Sequence, residues 1–236
     1  MKAIILAAGL GTRLRPITDT VPKCMVPVNG QCIIDKQIDN LIDNGFDQSD
    51  IYVIGGYLED VLKRHLLENY SKINFISNPR YNETNNMYSL YLASPFVKGE
   101  EFLLMNADVF YDSDIIKGLL QKEGSQIACD NSQYLEESMK ITLDDKGNIN
   151  HIGKKITEDE HYAVSIDVYR INQESSKILF EEIEDTILNR KDENSWTEMA
   201  LDSIFDKTSF SPYVIENRWF EIDTLEDLAT AEKIFS

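Results

Sequence analysis

Cysteine and histidine are scarce in this sequence, with three of each among 236 residues. Cys24, Cys32 and Cys129 are odd in number and lack the paired spacing of zinc ligands, so we expect free thiols. Such thiols are typical of a reducing compartment, and the N-terminus lacks the charged, apolar and cleavage regions of a signal peptide. We therefore expect a cytoplasmic protein.

Positive charge is also in short supply. The chain has 23 lysines and arginines against 41 aspartates and glutamates, which leaves a net charge of −18. Nucleic-acid binding depends on basic surfaces, so this balance argues against a nucleic-acid partner. No run approaches about 18 consecutive apolar residues, so no membrane span is expected. Against the acidic background, the cluster of Arg13, Arg15 and Lys23 predicts binding of a small anion.

Strand-like and helix-like patterns alternate along most of the chain. Continuous apolar runs such as residues 3–6 and 102–105 predict strands that are buried on both faces. The alternation predicts an α/β fold of Rossmann-like type, with a mixed, mostly parallel sheet and helices on both faces. The chain is long enough for a full core and shows no linker, so we expect one domain over residues 1–236. Helices are predicted at residues 33–41, 57–67, 87–92, 113–121, 174–184, 197–205 and from the N-cap Thr224 to residue 234.

The alternation breaks between residues 130 and 169. Residues 139–143 and 148–153 flank the sequence DDKG, which indicates a β-hairpin. We interpret residues 130–169 as a small β insertion over the acceptor side of the active site.

The sequence AAGLGTRLRP, residues 7–16, is a cationic glycine-rich loop after the first predicted strand. It is not a dinucleotide fingerprint, because Leu14 stands where a third glycine is required, and it is not a Walker A loop, because only one residue separates its glycines. Without side chains in the way, the backbone N–H groups of residues 9–12 can approach an anion closely. Arg13 adds a bidentate fork suited to phosphate oxygens.

The segment LAAGLGTRLRPIT, followed by PKCMVPV, resembles the signature of the nucleotidylyltransferase superfamily. These enzymes couple a nucleoside triphosphate to a sugar phosphate or a small phosphate ester. Further segments match in the same order: GGYLEDVL, NNMYSLYLA, NADVF and WFEIDTLEDL. With NNMYSLYLA, the chain looks most like the bacterial phosphocholine cytidylyltransferases of cell-surface polymer synthesis. The resemblance covers most of the chain and is weakest from residue 130 to residue 207.

The resemblance implies attack by the acceptor's phosphate oxygen on the α-phosphorus, with release of pyrophosphate. A phosphate ester is largely dianionic at neutral pH, since its second pKa is about 6, and it needs no general base. Cations and positioned donors then supply the catalysis. By resemblance, Arg13 holds the β- and γ-phosphates, Lys23 reaches the α-phosphate, and Asp108 and Asp223 hold Mg²⁺, with Arg13, Lys23 and Asp108 as the catalytic set.

The two substrates expected are CTP and a small phosphorylated acceptor, and the preference for CTP over UTP rests on the resemblance alone. The predicted nucleotide-binding residues are Ala7, Ala8, Gly9, Gly11, Thr12, Arg13, Lys23, Gly56 and Tyr57. For the acceptor, the resemblance implies aromatic and acidic side chains that recognise a cation, and it ranks phosphocholine first. The candidates are Asn86, Tyr88, Asp130, Asp167, Trp196, Glu198, Trp219 and Glu221, with Lys140 as a candidate for the acceptor phosphate.

Several alternatives stay open. In the segment AVSIDVYR, Ile166 and Asp167 stand where phosphocholine-specific relatives carry aromatics, so an aminoalkyl phosphonate or an amino-acid phosphate is a further candidate acceptor. A sugar-1-phosphate nucleotidylyltransferase is the second enzymatic interpretation. A catalytically silent nucleotide-binding subunit is the third, although the joint presence of Arg13, Lys23 and the two aspartates argues against it. The chain is expected to be a monomer or a homodimer.

Overall fold

Buried apolar strands form the centre of the protein, which a computed structural model describes over all 236 residues. The first strand, β1 (Lys2–Ala7), buries Ala3, Ile4 and Ile5 completely, as expected of a strand covered by helices on both faces. The other strands are β2 (Pro27–Val28), β3 (Gln31–Cys32), β4 (Ile51–Gly55), β5 (Asn74–Ser77), β6 (Phe102–Asn106), β7 (Val109–Tyr111), β8 (Ser125–Asp130), β9 (Lys140–Leu143), β10 (Ile149–Gly153), β11 (Ala163–Ile171), β12 (Phe210–Val214) and β13 (Trp219–Glu221).

Amphipathic helices pack on the two faces of the sheet. They are α1 (Ile33–Asp43), α2 (Glu59–Asn69), α3 (Asn86–Leu92), α4 (Ser94–Val97), α5 (Asp114–Leu120), α6 (Gln173–Glu184), α7 (Thr197–Asp202) and α8 (Leu225–Ile234). The apolar side chains of α1, α2 and α5 belong to one core cluster, and those of α3, α4, α6 and α7 belong to another. A third, smaller cluster lies between α8 and the segment around β2.

The central sheet runs in the order β10-β9-β11-β6-β1-β4-β5, with β8 paired to β11 and β12 paired to β8. The strands β6, β1, β4 and β5 are mutually parallel. In contrast, β11 is antiparallel to β6, β8 and β9. This arrangement confirms the predicted α/β fold with a mixed sheet and parallel strands at its centre.

The long strand β11 joins the two halves of the sheet. The predicted hairpin is present as the antiparallel pair β9 and β10, and it attaches to the first half of β11. The hairpin therefore extends the central sheet and does not form a separate layer above it. Four strands were not predicted: the two-residue strands β2 and β3, the short β7 after Asp108, and β8, whose residues are all buried.

Two predicted helices have different boundaries in the structure. The second helix was expected from residue 57, but Leu58 has a φ of 49° and the helix begins at Glu59. Such a left-handed residue interrupts regular helical backbone. The predicted helix 197–205 ends at Asp202. Thr224 caps α8 as predicted, and its partner in the reciprocal capping box is Asp227.

Candidate active site

A cavity of about 440 Å³ opens at the carboxyl ends of β1 and β6. Its walls are the loop after β1, the turn after β6, the first turns of α3 and α7, the middle of β11 and the end of β13. Ligands gather at the carboxyl ends of parallel strands in open α/β sheets. The predicted loop residues Ala7, Ala8, Gly9, Gly11, Thr12 and Arg13 all line this cavity.

The loop after β1 is folded tightly against the segment that carries Lys23. Gly11 has a φ of +60°, and a Cβ added there would lie 2.8 Å from the Cβ of Lys23. Only glycine fits this combination of left-handed backbone and close approach. The hydroxyl of Thr18 donates to the Gly11 carbonyl at 2.7 Å and fixes the turn. Gly9 has no neighbour within 4 Å of the added atom, so its backbone stays open to the cavity.

Two cations and two carboxylates from three distant segments meet at this loop. Lys23 Nζ lies 2.8 Å from Asp108 Oδ2 and 2.6 Å from Asp223 Oδ1. Arg13 Nη2 lies 2.8 Å from Asp223 Oδ2. Burial alone would lower the pKa of Lys23, but the attraction of both carboxylates outweighs it and raises that pKa. Burial would raise the pKa of Asp223, and the charge and hydrogen bond of Lys23 bring it below its usual value.

Glu221 completes a three-carboxylate cluster with Asp108 and Asp223. One oxygen from each lies within 4.8 Å of the others. Asp108 Oδ1 is buried and has no hydrogen-bond partner. Burial raises the pKa of Glu221 to about 9, and the negative charges of Asp108, Asp167 and Asp223 add to this effect. The cluster fits a hard divalent cation such as Mg²⁺, because its ligands are all oxygens, one of these oxygens has no partner, and the three carboxylates repel one another. The sequence placed Glu221 with the acceptor, whereas the fold brings it to the predicted metal aspartates.

A second carboxylate pair lies across the cavity, on β11 and α7. Asp167 has a φ of 58° where the pairing of β11 with β8 shifts register, so the strand bulges there. Its carboxylate accepts hydrogen bonds from Asn106 Nδ2 at 3.0 Å and from the Tyr169 hydroxyl at 2.9 Å. The same hydroxyl lies 3.1 Å from Glu198 Oε1. A single hydroxyl hydrogen cannot fully serve two carboxylates.

Both members of this pair are buried without a cationic partner. Burial and the negative charges of Glu198 and Asp108 raise the pKa of Asp167 to about 7. Burial also raises the pKa of Glu198. The pair therefore holds negative charge that only neutral donors offset.

The first turns of α3 and α7 are tied together beside this pair. Asn86 Oδ1 accepts the Thr197 backbone N–H at 2.8 Å, and Asn86 Nδ2 lies 3.5 Å from Glu198 Oε2. Trp196 stands at the cavity mouth with 40% of its surface exposed, and Lys154 Nζ lies 5.1 Å from the centre of its ring. Asn86, Asp167, Trp196 and Glu198, predicted to bind the acceptor, thus line the cavity.

Four predicted acceptor residues lie outside the cavity lining. Trp219 is buried, and its indole N–H donates to Asp130 Oδ2 at 2.9 Å, so these two residues satisfy each other. Lys140 is fully buried and donates to the Glu136 carbonyl at 2.7 Å, so its ammonium group is engaged within the fold. Tyr88 packs under the guanidinium group of Arg80, which lies 5.2 Å from its ring centre. All four are therefore structural.

Gly56 and Tyr57 also lie outside the cavity lining, behind the loop that they were predicted to complement. The Tyr57 hydroxyl donates to the Thr18 carbonyl at 2.9 Å. A Cβ on Gly56 would lie 2.5 Å from the Cβ of Tyr81. These residues support the loop, and Tyr81 supplies the aromatic side chain that faces the cavity.

Several lining residues were missed by sequence reasoning. They are Cys24, Asn78, Tyr81, Thr84, Asn85, Ser89, Asn106, Glu137, Ser138, Met139, Lys154 and Ser165. The polar segment between β5 and α3 carried a usable signal, since it follows a parallel strand at its carboxyl end. The residues from the β8–β11 region carried none, because their side chains reach the cavity only through the pairing of that part of the sheet.

The fold and the cavity together define an α/β protein with a cationic glycine-rich loop and a cluster of three carboxylates in one cavity. The nucleotidyl transferase family model matches residues 2–234. The chain therefore belongs to the nucleotidyl transferase family, and the resemblance of its sequence motifs is confirmed.

Two sequences and one solved structure are among the proteins similar to this chain. The chain is 34% identical to the CTP:phosphoglutamine cytidylyltransferase of Campylobacter jejuni, covering 97% of this chain and 98% of the relative. It is 49% identical to the choline-phosphate cytidylyltransferase of Streptococcus pneumoniae over 92 residues, 39% of this chain and 38% of that relative. The solved CTP:phosphocholine cytidylyltransferase from S. pneumoniae superimposes with a TM-score of 0.81 at 25% identity, covering 100% of this chain and 99% of that chain.

None of the helices combines the length and the apolar character needed to cross a membrane.

Proposed function

We propose that this protein transfers CMP from CTP to a small phosphorylated acceptor that carries an amine, with release of pyrophosphate. One observation carries the proposal: a single cavity joins the loop with Arg13 and Lys23 to the uncompensated carboxylates of Asp167 and Glu198. The relatives support CTP, since those that resemble this chain include cytidylyltransferases for phosphoglutamine and for choline phosphate.

The proposed reaction is a direct displacement. An oxygen of the acceptor phosphate attacks the α-phosphorus of CTP, and the bond from that phosphorus to the bridging oxygen of pyrophosphate breaks. The acceptor is already dianionic near neutral pH, so no base is required. None of the three histidines lines the cavity, which agrees with this chemistry.

Two cations face the charge of the triphosphate. Lys23 is largely buried and remains protonated, so it keeps a full positive charge at the loop for the α-phosphate. Arg13 has a 63% exposed side chain that can reach the β- and γ-phosphates while the loop N–H groups bind the remaining oxygens. Asp108, Glu221 and Asp223 would hold Mg²⁺, which shields the negative charge of the triphosphate and of the departing pyrophosphate.

The carboxylate pair selects the acceptor. Asp167 and Glu198 offer hydrogen-bond acceptors, which suit the N–H donors of a primary ammonium. A quaternary ammonium has no such donors and depends on aromatic faces. Of the predicted aromatic candidates, only Trp196 lines the cavity. We therefore rank phosphoethanolamine, an aminoalkyl phosphonate or an amino-acid phosphate above phosphocholine. Lys154 beside Trp196 would pair with the carboxylate of an amino-acid phosphate.

Three further parts of the proposal rest on resemblance and composition. The product would supply an activated group for a cell-surface polymer, the protein would be cytoplasmic, and it would be a monomer or a homodimer.

A pyrophosphate-release screen tests the proposal. CTP, UTP, ATP and GTP are each combined with phosphoethanolamine, 2-aminoethylphosphonate, phosphocholine, an amino-acid phosphate and glucose 1-phosphate. We expect CTP with a primary amine to give the highest kcat/KM. A sugar phosphate that matches every amine would establish the sugar-nucleotide alternative, and silence with all pairs would establish the regulatory one.

A matched pair of variants sharpens the screen. Asp167→Asn removes the charge that faces the acceptor, whereas Asp130→Asn removes a charge outside the cavity lining. Loss of a charged hydrogen bond costs about 1.5–3 kcal/mol, so Asp167→Asn should raise the acceptor KM by roughly 10- to 100-fold. The KM for CTP should stay within about twofold in both variants. Equal effects of the two substitutions would remove Asp167 from acceptor binding.

A further inference from the structure

Cys32, Asp35 and His65 converge where the start of α1 meets α2, outside the cavity lining. Cys32 caps the start of α1, Asp35 lies in its first turn, and His65 comes from α2. Their sulfur, carboxylate oxygen and ring nitrogen all lie within 4.8 Å of one another. His65 Nε2 is 2.7 Å from Asp35 Oδ1, and these side chains are 20% and 19% exposed. None of the three lines the cavity.

The imidazole of His65 is held in place from its other side. Asn69 lies one turn further along α2 and donates through Nδ2 to the His65 carbonyl at 2.8 Å. The same nitrogen is 3.4 Å from His65 Nδ1. Because this amide nitrogen is a donor, it favours the tautomer whose ring hydrogen lies on Nε2 and is donated to Asp35. A cation that binds Nε2 therefore shifts this hydrogen to Nδ1.

We propose that Cys32, Asp35 and His65 form a site for a thiophilic divalent cation such as Zn²⁺, separate from the magnesium chemistry of the cavity. Thiolate, imidazole and carboxylate are the three ligand types that Zn²⁺ takes in proteins, and a water completes the tetrahedron. Mg²⁺ is a poor competitor, because it prefers oxygen ligands in octahedral geometry. The partial exposure of the cluster leaves a path for the ion.

The thiol is protonated before the metal arrives. Burial and the carboxylate of Asp35 raise the pKa of Cys32 to about 11. The cation therefore displaces the thiol proton to solvent when the sulfur becomes a ligand. The hydrogen bond between Asp35 and His65 opens at the same time, because the cation takes the atoms that form it.

A metal at this site would stabilise the position of α1, which contacts the backbone on both sides of Asp108. Gln37 of α1 donates through Nε2 to the carbonyls of Asn106 at 2.9 Å and Val109 at 2.8 Å, on either side of Asp108. A metal bound by α1 and α2 cross-links two helices that otherwise meet through side-chain packing and the hydrogen bond of Asp35 to His65. Its effect is on stability, because an ion that binds only the folded state stabilises it by mass action.

Cobalt(II) is the probe for this site. It is added to the full chain in excess Mg²⁺, which saturates the carboxylates of the cavity. A thiolate ligand gives a sulfur-to-cobalt charge-transfer band in the near ultraviolet, which carboxylates alone cannot produce. We expect this band with a Kd of roughly 1 µM or tighter, loss of the band on addition of Zn²⁺, and a Tm a few degrees higher with Zn²⁺.

Matched cysteine variants locate the band. Cys32→Ser should abolish it and weaken Zn²⁺ binding at least about 100-fold, whereas Cys129→Ala, which alters a buried cysteine on β8, should retain it. His65→Gln, at a half-buried position of α2, should weaken binding by at least about tenfold and keeps the test decisive if Cys32→Ser folds poorly. Absence of the band in the wild type, or its persistence in Cys32→Ser, would overturn the proposal.

Discussion

The cavity has two ends that carry carboxylates. At the proposed nucleotide end, Asp108 and Asp223 have cationic partners. At the proposed acceptor end, Asp167 and Glu198 receive only neutral donors. Lys23 bridges the first pair, and Arg13 adds to it. The second pair relies on a tyrosine hydroxyl and two asparagine amides. Within one cavity, therefore, one pair of carboxylates lies beside positive charge and the other pair does not.

The pKa directions follow from this difference. At the nucleotide end, burial opposes ionisation of Asp223, but Lys23 overcomes it and lowers that pKa. At the acceptor end, burial is unopposed by any cation, and the pKa of Asp167 rises to about 7. Lys23 offsets the charges of Asp108 and Asp223, whereas Asp167 and Glu198 have no cation beside them. The cationic acceptor that we propose would supply that charge.

Removal of a carboxylate at the nucleotide end should have the largest effect. Asp108→Asn and Asp223→Asn are each expected to abolish pyrophosphate release, because both metal binding and the position of Lys23 depend on them. EDTA should silence the wild type, and Mg²⁺ should restore it. Asp114→Asn, on the exposed side of α5, is the control and should retain full activity. Turnover in the presence of chelator would contradict the three-carboxylate site.

Removal of the lysine at the same end should have the next largest effect. Lys23→Ala is expected to lower kcat by roughly 10²-fold or more, as occurs when a positioned electrostatic group is lost from a transition state. The KM for CTP should change much less, and the circular dichroism spectrum should be retained. Lys63→Ala, which breaks an ion pair with Glu59 and a contact with the Phe75 ring outside the cavity lining, should leave kcat unchanged. Near-complete turnover in Lys23→Ala would remove this residue from the mechanism.

The raised pKa of Asp167 should be visible in the pH profile of kcat/KM. Asp167 is protonated below about pH 7 and charged above it. The kcat/KM for an amine acceptor should therefore rise with pH through this region, by up to about tenfold per unit on the acid side, because this parameter reports groups of the free enzyme. Asp167→Asn should flatten this step and keep only the titration of the acceptor phosphate near pH 6. An unchanged profile in the variant would assign the step elsewhere.

The two tryptophans provide the smallest and most selective comparison. Trp196→Leu should lower the acceptor kcat/KM by roughly 2- to 30-fold, the range of one cation–π contact, and leave Tm nearly unchanged. Trp219→Phe removes the donor to Asp130 and should cost about 1–3 kcal/mol of stability, visible as a lower Tm, without altering the acceptor KM. The opposite pattern would place Trp219 in the site and Trp196 in the fold.

The sequence by itself determined the nucleotide end. The loop at residues 7–16 is a local structure, in which glycines permit a backbone conformation and Arg13 follows in fixed spacing. The proposed metal ligand Asp108 closely follows β6, and parallel topology brings such positions to one edge of the sheet. These properties depend on neighbours within a few residues, so a single sequence contains them. Asp223 follows β13, which is antiparallel to β7, and it was predicted from the resemblance.

Only the tertiary structure decided the acceptor end. The bulge that aims Asp167 into the cavity arises from the register between β11 and β8, which no local pattern specifies. Aromatic and charged residues are equally suited to a ligand or to a buried partner, so the roles of Trp219 and Lys140 became clear only when Asp130 and the Glu136 carbonyl were found beside them. The convergence of Cys32 and His65, from different helices, has the same origin: contact between distant segments is created by packing and is absent from residue spacing.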